Sequence, residues 1–90
     1  MQSLNDLRVK IDSIDAELIK LFEERMNISR EIAEFKEKNG LSIYDQDREK
    51  KVIENNISHV SDELKVYVEE FVQCIMRISK KIQSKSTNVK

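Results

Sequence analysis

Ninety residues, 16 of them basic and 17 acidic, make a chain of nearly balanced charge, with no broad basic footprint for nucleic acid and no basic face for a membrane surface. One cysteine excludes an internal disulfide, no Cys/His spacing fits a metal site, and the amino terminus lacks the basic start and apolar run of a signal peptide, so a reducing, cytoplasmic setting is expected. No Pro, one Gly, 37% charged and 6% aromatic residues argue against sheet and predict an all-α chain of long amphipathic helices, read as a single domain over residues 1–90.

Leu4, Leu7, Ile11, Ile14, Leu18, Leu21, Arg25, Ile28, Ile32 and Phe35 follow one another at spacings of three and four without a slip, the seam of one long helix. Ser3 or Asn5 caps its start, and Asn39-Gly40 ends it, because Gly takes the left-handed conformation that closes a helix. At about 1.5 Å per residue such a helix is about 50 Å long, whereas a compact domain of this size is about 30 Å across. The helix overhangs its own domain, and its apolar seam calls for a second chain, most simply through a two-fold dimer.

After a link from Leu41 to Tyr44, Asp45 is the expected N-cap of a short second helix with Val52, Ile53, Ile57 and Val60 on its apolar face. Ser61-Asp62-Glu63 offers a cap and an acidic first turn to a third, medium-length helix, with Tyr67, Phe71, Ile75, Ile78 and Ile82 as its core face. The polar tail from Ser84 to Lys90 is expected to fray.

Arg25 takes a seam position where its neighbours predict Leu or Ile, so its guanidinium needs an anion. The plain reading is a register-fixing ion pair. Lys36, eleven residues on, returns to within about 20° of the same helix face and about 16 Å along the axis, so the two side chains can reach one small ligand. By itself Lys36 reads as a solvated lysine. Arg8 lies about 26 Å before Arg25 and about 100° out of phase, and can share a ligand with it only from the opposite chain of an antiparallel dimer.

In Asp45-Gln46-Asp47-Arg48-Glu49 the acidic residues suit a helix start, but Arg48 opposes the dipole there and reads as a cation held for a ligand carboxylate. Glu49 beside it can accept a hydrogen bond from a ligand hydroxyl. On the third helix Val72, Met76, Ser79 and Gln83 form a line that starts apolar and turns polar, which suits a pocket wall; Ser79 and Gln83 read equally well as surface residues. His59 has no partners for a metal or a triad and should be exposed, and Cys74 is expected to pack.

Together, R-x2-I-D-x2-D from Arg8, Glu24-Arg25, Lys36, D-x-D-R-E from Asp45 to Glu49, and S-x3-Q at Ser79 and Gln83 resemble the all-helical chorismate mutases, collinearly from Leu4 to Gln83. The resemblance implies three helices per chain in an intertwined homodimer. It further implies that Arg25, Arg48 and a partner-chain Arg8 handle the two carboxylates of chorismate, with Ser79 assisting. Lys36 and Gln83 would donate to the ether oxygen, Glu49 and the Asp45 backbone would bind the ring hydroxyl, and Ile32 and Met76 would form apolar walls. Met76 departs from the branched aliphatic usual at its position.

The implied reaction is the Claisen rearrangement of chorismate to prephenate, on the route to phenylalanine and tyrosine, with no cofactor and no metal. Being unimolecular and pericyclic, it asks for a held conformer and stabilised charge, not for a nucleophile and base. Two rivals stand beside it. One is an isochorismate-pyruvate lyase of similar fold, against which D-Q-D-R-E reads as mutase-like; the other is a non-catalytic helical dimerisation or sensing module in which Arg25 only sets register.

Overall fold

The computed structural model describes residues 2–87, and side chains over residues 2–85. Three α-helices follow in order: α1 (Leu4–Lys38), α2 (Gln46–Ile57) and, after a 3-10 turn at Asp62–Leu64, α3 (Lys65–Thr87).

The ends of α1 are set locally. Ser3 accepts from the Asp6 backbone N–H at 3.1 Å while Asp6 accepts from the Ser3 N–H at 3.2 Å, a reciprocal cap that satisfies two otherwise orphaned donors. At the far end Gly40 sits at φ 65°. This lets the Leu41 N–H reach the Lys36 carbonyl at 2.8 Å and the Gly40 N–H reach that of Glu37 at 3.4 Å, the paired bonds of a Schellman termination. Asp45 caps α2 as expected, its Oδ1 accepting from the Arg48 N–H at 3.0 Å. Ser61 differs: it makes no side-chain cap bond, and its carbonyl instead accepts from the Leu64 N–H at 3.0 Å to start the 3-10 turn. Nor does the chain fray from Ser84 as expected, since α3 runs on to Thr87; residues 88–90 lie outside the described ones.

α3 is the central element and packs on both α1 and α2. The whole measures 57 × 28 × 14 Å, so it is only about one helix thick, and a single layer of helices cannot enclose a core. What is buried is small: Met26, Ala33, Val72 and Met76, with the polar Ser29, Ser79 and Gln83 among them.

This corrects the expected core face of α3, while the α1 seam is uncovered in the single chain, as its overhang implied. Every apolar member of the α1 seam from Leu4 to Phe35 is at least 43% exposed, and on α3 Tyr67 and Phe71 are exposed while Ile75, Ile78 and Ile82 are half-buried. The buried faces are the neighbouring ones, Met26, Ser29 and Ala33 on α1 and Val72, Met76, Ser79 and Gln83 on α3, joined by a 2.7 Å bond between Ser29 Oγ and Ser79 Oγ. Periodicity located an apolar stripe on each helix but not which layer covers it. On α2, by contrast, Val52, Ile53 and Ile57 are half-buried as expected; Val60, expected on the same helix face, is also half-buried but lies beyond the end of α2 at Ile57.

Candidate active site

Where the second half of α1, the link, the start of α2 and the last turns of α3 meet, they enclose a cavity of about 250 Å³. That is just below the usual range of small-molecule sites. α1 supplies Arg25, Ile28, Ser29, Ile32 and Lys36; the link and α2 supply Ile43, Asp45, Arg48, Glu49 and Val52; α3 supplies Met76, Ser79, Lys80 and Gln83. Of the ten residues singled out in the sequence, all but Arg8 therefore line one cavity. Arg8 is exposed near the start of α1, about 26 Å from Arg25 along the helix, and is not brought to this site within one chain.

Four of the lining residues are cations, Arg25, Lys36, Arg48 and Lys80, and two are carboxylates, Asp45 and Glu49. Among the described residues neither Arg25 nor Arg48 is ion-paired, which leaves the register-pair reading of Arg25 with no support within the chain. Partial desolvation, and second the charge of Arg48, lower the pKa of Arg25 from its ordinary value. The residue as a whole is still exposed, so the effect is screened and arginine keeps its charge. Lys36 Nζ donates to the Ile43 carbonyl at 3.0 Å, which aims the ammonium across the mouth formed by the link and leaves two of its protons for a ligand.

The neutral donors are tied to one another. Gln83 Nε2 donates to Ser79 Oγ at 3.1 Å, and Ser79 Oγ shares a 2.7 Å bond with Ser29 Oγ, all three residues being buried. Such a chain fixes rotamers before any ligand arrives. Sequence reasoning missed Ser29 and Lys80. Ser29 carried a usable signal, as one turn after Arg25 and two before Lys36 it occupies the same side of α1; Lys80 carried none, because a lysine next to Lys81 in a polar stretch reads as solvated.

The arrangement can hold a small, doubly charged anion between cations, with neutral donors behind it and apolar walls at Ile32 and Met76. Residues 7–84 match the family model described as Chorismate mutase type II. The chain belongs to the type II chorismate mutase family. Its relatives include a chorismate mutase of Methanocaldococcus jannaschii, 40% identical over 50 residues that cover 56% of this chain and 50% of that protein. A T-protein of Haemophilus influenzae is 45% identical over 49 residues, 54% of this chain and 13% of that protein. A bifunctional chorismate mutase/prephenate dehydratase of Aquifex aeolicus is 39% identical over 54 residues, 60% and 15% respectively. The matched segments thus span at most half the length of these relatives. No solved structure matches the chain. Membership of the chorismate mutase family agrees with the all-α class, and none of the described helices is long and apolar enough to cross a membrane.

Proposed function

We propose that this chain is a chorismate mutase, an isomerase that rearranges chorismate to prephenate for phenylalanine and tyrosine synthesis in the cytoplasm, with residues 1–90 acting as one mutase domain. The observation that carries the reading is the convergence on one cavity of two guanidiniums that make no ion pair among the described residues, together with Lys36 and the Ser79–Gln83 donors. Two cations repelling each other across a cavity are unfavourable until an anion lies between them, and a dianion answers both.

In this reading Arg25 and Arg48 grip the two carboxylates and, with Ser79, hold the substrate folded so that the bond-forming carbons face each other. Charge builds on the ether oxygen as its C–O bond breaks. Lys36 and the Gln83 amide donate to that oxygen, and being fixed beforehand they need no reorganisation at the moment of reaction. Glu49, with the Asp45 backbone, accepts and orients the ring hydroxyl. No proton is transferred, which suits a site built of fixed cations and amides.

The site is completed by a second copy of the chain. The single chain exposes 7539 Å², whereas a compact monomer of 10.6 kDa exposes about 5,500 Å², and the excess of about 2,000 Å² is of the size that obligate dimers hide. The uncovered seam of α1 supplies the apolar surface for it. An antiparallel pairing over this seam would carry Arg8 of each copy toward the other's cavity, giving two sites that each draw on both chains.

The deciding experiment follows chorismate absorbance on adding purified protein, with the product identified. Wild type is expected to yield prephenate, and folded Arg25→Ala to lose turnover by three decades or more, since it removes a carboxylate ligand at a site of charge stabilisation. Pyruvate and salicylate from isochorismate would instead identify a lyase. A folded wild type inert toward both would leave a dimerisation or sensing module.

A further inference from the structure

Lys80 lines the cavity, yet the roles assigned above leave it none. It follows Ser79 on α3, half-buried, and its Nζ lies 3.0 Å from Glu49 Oε2 and 5.0 Å from the centre of the Tyr44 ring. The link, α2 and α3 are thereby joined at one ammonium. We propose that Lys80 is a positioning residue that holds the Glu49 carboxylate correctly turned as the acceptor for the substrate's ring hydroxyl; this rests on the mutase reading.

The need for such a residue is electrostatic. Glu49 is a carboxylate in a cavity built for a dianion, and an uncompensated like charge there weakens substrate binding. Lys80 supplies the missing counter-charge, and by taking Oε2 it leaves Oε1 to the hydroxyl. The Tyr44 ring face attracts the same ammonium from the link side, so Lys80 is held between two groups and does not swing into the substrate's carboxylate sites. The two side chains are 37% and 25% exposed, and a pair that wet contributes little to folding. Its value lies in orientation.

The test measures kcat and KM for Lys80→Met and Lys80→Arg, each with and without Glu49→Gln, using chorismate and its analogue lacking the ring hydroxyl. Lys80→Met is expected to lower kcat/KM for chorismate on the order of tenfold, and Lys80→Arg to restore most of it. The loss should shrink to within about twofold on the analogue and in the Glu49→Gln background, because the group that Lys80 acts through is then absent. An equal loss on both substrates or in both backgrounds would mean direct contact with the substrate and overturn the assignment. So would full activity of Lys80→Met, or a drop in its melting temperature that accounts for the loss. Those outcomes leave the mutase reading intact, since wild-type turnover reports on it separately; a wild type that forms no prephenate removes both.

Discussion

Gln83 is an amide and carries no proton that titrates near neutrality, and the guanidinium of Arg25 keeps its charge there. Arg25 has a lowered pKa, so the sign of any effect is a loss of the charged form on the alkaline side, and a bound dianion would oppose that loss. Activity is therefore expected to stay level between pH 6 and 8 in a profile of kcat/KM; a steep fall across that range would contradict the neutral-donor role of Gln83. Removing either donor to the ether oxygen, in Gln83→Ala or Lys36→Ala, should raise the barrier by about 3–4 kcal/mol, two to three decades in kcat. Single-turnover rates at saturating chorismate would show this directly. Sequence spacing puts Arg25 with Lys36 and Met76 with Ser79 and Gln83, because positions eleven apart on α1 and three or four apart on α3 share a face whatever the helices pack against, and all five line the one cavity. Lys80 was not legible in that way, since its role depends on Glu49 and Tyr44, both more than thirty positions away.

At the level of the elements, helix ends matter more here than helix interiors. The turn at Gly40 places the link so that the Ile43 carbonyl accepts from Lys36, and the same turn sets the distance at which Asp45 starts α2. A Cβ added at Gly40 meets nothing within 4 Å, so the penalty of Gly40→Ala is purely that of the left-handed backbone, about 1 kcal/mol. Thermal melting of Gly40→Ala should fall by about 4–8 °C, with kcat dropping more than KM rises because Lys36 loses its tether. Unchanged turnover at a lowered melting temperature would show that the tether does not orient Lys36. These ends were readable in advance because Ser3, Asn39-Gly40 and Asp45 act through bonds three to five residues long. Ser61 was misread for a related reason: a capping residue type does not by itself decide whether an α or a 3-10 turn follows.

For the whole molecule, the 57 Å length and 14 Å thickness place the largest apolar surface outside the single chain. If two copies cover it antiparallel, a site uses Arg25 of one chain and Arg8 of the other. Arg8→Ala and Arg25→Ala should each be nearly inactive alone. Unfolded together and refolded, they form hybrids holding one intact site and one doubly damaged site, so roughly a quarter of wild-type turnover should return by random pairing. Sedimentation of wild type should give twice the chain mass. Recovery of no activity in a mixture shown to contain hybrids would place Arg8 outside the site.

What the sequence determined by itself was what depends on short range: three helices, both ends of α1 and the start of α2 with their caps, and the two residue sets that share a face on α1 and on α3. Those follow from a fixed rise and turn per residue and from hydrogen bonds between near neighbours. Tertiary structure alone decided which stripe of each helix turns inward. α3 carries two apolar faces, and packing against α1, where Ser29 bonds to Ser79, buries the line of Val72, Met76, Ser79 and Gln83 and leaves Tyr67 and Phe71 exposed. It also decided that Lys80 meets Glu49, a contact between helices that no periodicity within either one encodes.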